Sequence, residues 1–146
     1  MRYCIFDTET TGKAPAGKTT RYDSYTNSKA YDNSRMIELA WGVYDDEQPI
    51  CEKSYLIKPE GYYHISEKNQ SIHGISSEMV ENNGVSLRQI IGNLFADIFV
   101  CDKIVGHNVW FDLAILKSEI YRFPEYRSII DYLYKKPVLC TLRLSR

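Results

Sequence analysis

The chain has 146 residues, 44% of them hydrophobic and 25% charged, which is typical of a single globular domain (residues 1–146) with its own core. The formal net charge of −1 excludes a strong overall positive field, so a nucleic-acid partner would need a local basic groove. The sequence has no signal peptide and no long apolar run. This predicts no membrane partner and a cytoplasmic location, or a nuclear or host-cell one if the source is viral.

The first apolar run, from Arg2 to Asp7, predicts a buried β-strand that leads into an acidic, threonine-rich segment. Because side chains alternate between the faces of a strand, Asp7 and Glu9 should point to the same side, about 7 Å apart. Two such carboxylates repel each other unless a cation lies between them, and oxygen ligands suit Mg²⁺ or Mn²⁺. The alternative is an exposed strand end before a turn at Gly12.

Residues 13–35 form a long polar segment without helical or strand periodicity. Long loops are uncommon in compact domains unless they are functional or disordered. The cations of the segment could bind phosphates while its rings stack on the bases of a single strand. The alternatives are a solvated insertion or the turn of a long hairpin. Its tyrosines and cations are Tyr22, Tyr25, Tyr31, Lys13, Lys18, Arg21, Lys29 and Arg35.

Two further strands are predicted at Met36–Tyr44 and Cys51–Ile57. Only a short acidic turn separates them, so they should be antiparallel neighbours. Two short helical pieces follow between residues 66 and 80, where His73 is interpreted as a packed or capping residue rather than a ligand. A helix with a continuous apolar stripe from Leu87 to Phe99 then precedes a buried strand at residues 103–106, which indicates an α/β arrangement.

A second polar constellation follows that strand directly. Asn108 is placed to cap a helix, and Asp112 lies within about 60° of the apolar stripe of that helix. An acid at the margin of a buried face is paired, caps the helix or binds a metal. Gly106 permits a close backbone approach, and His107 and Asn108 offer hydrogen-bonding groups where open α/β sheets place their sites. The alternative is a capped turn whose acid complements the helix dipole.

Three motifs together resemble the DEDDh (DnaQ-like) 3′–5′ exonuclease family, typified by the proofreading subunit of bacterial replicative DNA polymerases. The resemblance covers nearly the whole chain except residues 13–35, and its first motif is closer to the DNA-directed replication and repair branch than to the oligoribonuclease branch. The motifs are Phe6-Asp7-Thr8-Glu9-Thr10-Thr11-Gly12, Ile72-His73-Gly74-Ile75 and Gly106-His107-Asn108-Val109-Trp110-Phe111-Asp112-Leu113.

The resemblance implies an RNase H-like α/β fold, with a five-stranded mixed sheet whose first three strands are antiparallel and whose faces carry helices. It implies removal of nucleoside 5′-monophosphates from the 3′ end of nucleic acid by two Mg²⁺ or Mn²⁺ ions. DNA is favoured over RNA, and single-stranded DNA is the favoured partner. A polymerase or another protein is a further implied partner.

The same resemblance assigns roles to individual residues. Asp7 and Glu9 are implied to hold the metals, with Asp7 bridging both ions. Asp112 is implied to complete the second metal site, directly or through water. The implied contacts to the terminal nucleotide are the backbone around Thr10 and Thr11 and the side chains of His107 and Asn108.

One family signature has no counterpart in the sequence. The family carries a histidine followed five residues later by an aspartate on a C-terminal helix, whereas all three histidines of this chain precede Pro137. Residues 138–146 resemble the fifth strand and the start of the next helix. We therefore expect a C-terminally truncated domain with one sheet face partly uncovered and with weak or no cleavage. The alternatives are a catalytically inactive nucleic-acid-binding or assembly module on the same fold, or an interaction domain whose acids are structural.

Overall fold

A computed structural model describes the backbone of residues 1–144. No helix within this range is long and apolar enough to cross a membrane. Two single turns of 3₁₀ helix occur, at Ser28–Tyr31 and Pro124–Tyr126. The other elements are β1 (Arg2–Thr10), β2 (Met36–Asp45), β3 (Gln48–Leu56), α1 (Glu67–His73), α2 (Ser77–Asn83), α3 (Leu87–Phe99), β4 (Lys103–Gly106), α4 (Val109–Tyr121), α5 (Ser128–Lys135), β5 (Val138–Cys140) and α6 (Thr141–Leu144).

The strands form one five-stranded mixed sheet in the order β3-β2-β1-β4-β5. The pairs β1–β2 and β2–β3 are antiparallel, whereas β1–β4 and β4–β5 are parallel. The short turn after β2 allows the antiparallel pairing, and the helical connections allow the parallel pairing. The predicted mixed sheet with three antiparallel strands first is confirmed, and β1 is its central strand.

Strand β1 is longer than the sequence predicted. It continues past Asp7 to Thr10 because β2 pairs with it along its whole length, with Glu9 opposite Glu38. The register shifts between Glu9 and Thr10, which is typical of a β-bulge. The acidic pair therefore lies within the strand, just before this irregularity, and not in a loop beyond it.

The core lies between one face of the sheet and the helices α3, α4 and α5. Cys4 and Phe6 of β1 face this core and are buried. The apolar stripe of α3 packs there as predicted, except at Phe99, whose ring is 68% exposed and stacks on Tyr132 with centroids 6.0 Å apart. Phe99 was therefore wrongly assigned to the core, because α3 ends at that residue and its ring is exposed there.

The opposite face of the sheet is open over the residues described. Ile5 on this face is 43% exposed, although its neighbours in sequence, Cys4 and Phe6, are buried. A depression of about 370 Å³ is lined only by residues of β1, β2 and β3.

The segment 13–35 is packed against the domain. The side chain of Tyr31 is fully buried, and its hydroxyl donates to the backbone oxygen of Asp23 at 2.7 Å. The hydroxyl of Ser34 donates to the backbone oxygen of Lys13. Arg35 is also buried and forms an ion pair with Glu119. Tyr31 and Arg35, which the sequence grouped with residues able to bind a nucleic-acid strand, are therefore structural.

Gly106 brings the start of α4 close to β1, and its replacement by alanine should destabilise the protein. A Cβ atom there would lie 2.8 Å from Cγ2 of Val109 and 3.3 Å from the backbone oxygen of Phe6. We expect Gly106→Ala to lower the free energy of unfolding by about 1–3 kcal/mol, measured by urea denaturation. Gly92→Ala is the matched control, since nothing lies within 4 Å of a Cβ at that position in α3. It should raise stability by about 0.5–1 kcal/mol. Equal changes in the free energy of unfolding for Gly106→Ala and Gly92→Ala would contradict the close approach of α4 to β1 at Gly106.

Candidate active site

The candidate site lies where the central strand and its parallel neighbour end. Strands β1 and β4 pair in parallel, with Tyr3 opposite Lys103 and Ile5 opposite Val105. The segment that follows β4 therefore lies beside the C-terminal half of β1. This segment leads into α4, whose first turn carries Asp112.

Asp7 and Glu9 occupy the open side of the sheet, as their spacing predicted. Burial alternates along β1, and Asp7 is exposed while Thr8, between the two acids, is buried. Burial raises the pKa of Glu9, and the nearby charges of Asp7 and Glu38 raise it further. Glu38 of β2 is a third carboxylate at this position that the sequence analysis missed. The alternation of side chains along β2, combined with the register in which β2 pairs with β1, would have placed Glu38 opposite Glu9.

Asp112 is fixed to the strand between these two acids. Its side chain is only 2% exposed. Its Oδ1 atom accepts hydrogen bonds from the backbone N–H of Thr8 at 3.0 Å and from the Thr8 hydroxyl at 2.6 Å. Burial raises the pKa of Asp112 to about 7. The Thr8 hydrogen bonds oppose this rise, and the charges of Asp7 and Glu9 add to it. The buried carboxylate of Asp112 thus lies near the same end of β1 as Asp7 and Glu9, and the charges of those two acids disfavour its ionisation.

The donor chemistry of these residues fits a hard divalent cation. Carboxylate oxygens are the preferred ligands of Mg²⁺ and Mn²⁺, and a cation would offset the burial, and the added repulsion between carboxylates, that raise the pKa of Glu9 and Asp112. However, in the described residues no three His, Cys, Asp or Glu side chains are arranged so as to hold a metal ion. The carboxylates that a metal site needs are present, but their side chains are not arranged around a common point in this structure.

A cavity of about 470 Å³ adjoins the acids on the side of α1. Glu9 and Thr10 line it, and the Thr10 hydroxyl donates to the backbone oxygen of Gly12 at 2.7 Å. Thr11 does not line it, because its backbone N–H and hydroxyl both bond to the backbone of Arg35. The other lining residues are Thr8, Gly12, Lys13, Lys68, Asn69, Ile72, His73 and Phe111.

His107 and Asn108 lie between β4 and α4 and do not line this cavity. His107 is exposed, and its Nδ1 lies 3.0 Å from the hydroxyl of Thr141. Asn108 precedes α4 with a left-handed backbone (φ 55°) and makes no side-chain hydrogen bond to the first turn. The predicted capping by the Asn108 side chain is therefore wrong, because capping requires an extended backbone at that position. Its Oδ1 atom is buried without a hydrogen-bond partner.

Helix α1 supplies cavity residues that the sequence analysis did not identify. Lys68 and Asn69 line the cavity, and Asn69 Nδ2 donates to the backbone oxygen of Thr11 at 2.6 Å. This contact joins residues 58 positions apart, so no local pattern signals it. His73 accepts a hydrogen bond from the backbone N–H of Ile75 through Nδ1, and its Nε2 atom is buried without a hydrogen-bond partner. It also forms part of the cavity wall.

The fold and the site define an α/β domain with acids at the end of a central strand, and comparison with known proteins assigns its family. The exonuclease family RNase T matches residues 4–146, so the chain belongs to this exonuclease family. This family is broader than the DEDDh group that the motifs resemble. A search of curated proteins finds no match.

Solved structures of exonuclease I share the fold. A metal-free complex of Escherichia coli exonuclease I with single-stranded DNA has a TM-score of 0.72 at 19% identity, covering 99% of this chain and 29% of that one. A product-bound exonuclease I has a TM-score of 0.74 at 19% identity, covering 99% and 30%. The chain thus spans less than a third of these proteins. The similarity confirms the RNase H-like fold predicted from the sequence.

Proposed function

We propose that this chain is the nuclease domain of a metal-dependent 3′–5′ exonuclease of the DEDDh type. It would hydrolyse terminal phosphodiester bonds of nucleic acid, DNA rather than RNA, to nucleoside 5′-monophosphates. The observation that carries the proposal is the bonding of the buried Asp112 carboxylate to Thr8, the residue between Asp7 and Glu9 in β1. Membership of the exonuclease family supports it. The solved exonuclease I complexes with single-stranded DNA and with product support the choice of substrate.

In this proposal the chain's own residues bind and orient the end of the strand. Asp7, Glu9 and Asp112 would hold Mg²⁺ or Mn²⁺. When bound, such ions supply an activated water and charge stabilisation at the phosphate. The cavity beside Glu9 would take the terminal nucleotide, with the ring of Phe111 against its base and the lysine cations beside its phosphates. Lys13 and Lys68 are those cations.

The test is cleavage of 5′-labelled single-stranded DNA and RNA in the presence of Mg²⁺, Mn²⁺ or a chelator. We expect stepwise shortening from the 3′ end with metal, none with chelator, and loss of shortening in Asp7→Asn. Asp102→Asn is the matched control, since Asp102 accepts a hydrogen bond from the backbone of Arg2 at the other end of β1. Metal-dependent cleavage that persists in Asp7→Asn would contradict the assignment.

A second candidate function is a nucleic-acid-binding or assembly module without cleavage. The observation that favours it is that, across residues 1–144, no metal-binding arrangement of three side chains is formed. Such a module would bind single strands equally well in chelator and in Mn²⁺, and would leave every substrate intact. Measuring binding and cleavage on the same oligonucleotides separates the two functions.

A further inference from the structure

A second cleft, of about 550 Å³, lies between the segment 13–35 and the helices α4 and α5. Aromatic rings and cationic side chains line this cleft. Such a lining suits an unpaired nucleotide, because bases stack on aromatic faces while phosphates bind cations. None of these ring-bearing or cationic residues lines the active-site cavity. They are Arg21, Tyr22, Tyr25, Tyr31, Trp110, Lys117 and Tyr134.

The wall formed by the segment is held in place by contacts with Tyr121 and Arg122 at the C-terminal end of α4. Nη2 of Arg122 donates to the backbone oxygen of Ser28 at 2.9 Å and to the carboxylate of Asp32 at 3.2 Å. The ring of Tyr25 meets that of Tyr121 edge to face, with centroids 5.7 Å apart. A ligand therefore meets a formed surface and does not have to order a loose one, which reduces the cost of binding.

The cation on α4 is suited to an anionic group. Lys117 Nζ lies 3.9 Å from the centre of the Tyr134 ring, and no carboxylate of residues 1–144 forms an ion pair with it. Burial lowers the pKa of Lys117, so its charge is partly desolvated and is faced by the Tyr134 ring and by no carboxylate of the described residues. Asp23 is the one acid among the described lining residues. Its carboxylate accepts hydrogen bonds from the N–H of Ser24 and, at 3.4 Å, from Asn27.

The cleft adjoins the active-site cavity. Trp110 lines the cleft and Phe111, the next residue of α4, lines the cavity. The ring of Tyr22, from the cleft, contacts the ring of Phe111 edge to face, with centroids 6.3 Å apart. One aromatic contact thus separates the two spaces, and successive nucleotides of one strand would reach both.

We propose that this cleft binds an unpaired nucleotide of the substrate strand on the 5′ side of the terminal nucleotide. The base stacks between Trp110 and Tyr134, and the adjoining phosphates lie near Lys117 and Arg21. The inference rests on the proposed function for the position of the terminal nucleotide. The segment 13–35 thus contributes to binding of the substrate strand.

The variant that tests the cleft is Lys117→Gln combined with Tyr134→Ala. Tyr134 is 61% exposed, so its truncation leaves the core intact. Anisotropy titrations with labelled (dT)12 and (rU)12 in chelator should show affinity for the favoured polymer about tenfold or more weaker than in wild type. The dependence of affinity on salt should also become shallower. Tyr62→Ala combined with Lys103→Gln is the matched control, because Tyr62 is exposed and neither residue lines the cleft.

Intrinsic fluorescence gives a second measurement on the unmodified protein. The two tryptophans are Trp41, which is 3% exposed, and Trp110, which is 37% exposed. Stacking of a base on Trp110 should quench its emission as (dT)12 is added, and Trp110→Phe should remove that quenching.

Unchanged oligonucleotide affinity in the Lys117 and Tyr134 variant, with no quenching in wild type, would overturn the cleft assignment while metal-dependent cleavage still upheld the proposed function. Strand binding that is weakened in the variant, without cleavage in any metal, would uphold the cleft and overturn the exonuclease. A wild-type protein that binds neither polymer would overturn both.

Discussion

Glu119→Gln should lower the free energy of unfolding by about 3–5 kcal/mol, because it leaves the guanidinium of Arg35 buried without a counter-charge. The side chains of Arg35 and Glu119 are almost fully buried, and their two carboxylate–guanidinium contacts measure 2.8 and 3.1 Å. Arg35 also donates to the backbone oxygen of Glu60, and Glu119 accepts from the N–H of Met36. Glutamine keeps the size of the side chain and removes only its charge.

Asp32→Asn provides the matched comparison. It makes the same acid-to-amide change in the ion pair with Arg122, in which the Asp32 side chain is 58% exposed. Water screens such a pair, so the expected loss is below about 1 kcal/mol. Urea denaturation of both variants measures the difference. Similar losses of stability in Glu119→Gln and Asp32→Asn would contradict the conclusion that Glu119→Gln leaves a buried, uncompensated charge on Arg35. Arg35→Met combined with Glu119→Leu should recover part of the stability lost in Glu119→Gln, since it removes both charges.

This ion pair matters for the site because it holds the end of the central strand. The backbone of Arg35 bonds to the N–H and the hydroxyl of Thr11. The backbone oxygen of Thr11 in turn accepts from Asn69 of α1. Displacing Arg35 would therefore loosen the wall of the active-site cavity as well as the start of β2. We expect the unfolding effect to be accompanied by weaker binding of single strands.

The sequence predicted those features that depend on local periodicity. The alternation of β1 placed Asp7 and Glu9 on one face, and the stripe of α4 placed Asp112 at a buried margin, where it is found. The antiparallel pairing of β2 and β3 followed from the short turn between them. These features need only the geometry of single strands and helices.

The features that the sequence missed depend on tertiary contacts or on backbone angles. Glu119 pairs with a residue 84 positions away, and nothing in the α4 pattern distinguishes it from a solvated acid. Asn108 has the residue type of a cap, yet its left-handed backbone directs the side chain away from the first turn. Arg35 appeared to belong to a solvated cationic loop, and only its partner on α4 identifies it as a core residue.

Asp112→Asn should stabilise the protein in chelator at pH 8 and reduce its response to divalent metal. The pKa of Asp112 is raised from 3.8 to about 7, so the folded state binds this proton more tightly than the unfolded state. Its contribution to stability is fully present below about pH 4 and is lost as the pH rises through about 7. At pH 8 the ionised carboxylate costs the fold on the order of several kcal/mol. Asparagine carries no charge, and its Oδ1 can still accept from Thr8.

Thermal unfolding between pH 4 and pH 8 in chelator measures this difference, and Asp102→Asn controls for the loss of an acid elsewhere. The wild-type midpoint should fall more steeply with rising pH than that of Asp112→Asn. Added Mn²⁺ should raise the wild-type midpoint at pH 8, because an ion that binds only the folded state stabilises it in proportion to the logarithm of its concentration. The midpoint of Asp112→Asn should rise less when Mn²⁺ is added.

The two readouts together identify what the buried carboxylate does. A structural acid held by Thr8 would show the same midpoint with and without Mn²⁺, and its replacement would alter only the pH dependence. A metal ligand would show both effects, because a bound cation offsets both the burial that mainly raises the pKa of Asp112 and the repulsion from Asp7 and Glu9 that adds to it. A wild-type midpoint that is independent of Mn²⁺ across this pH range would therefore exclude Asp112 as a metal ligand, whatever its effect on stability.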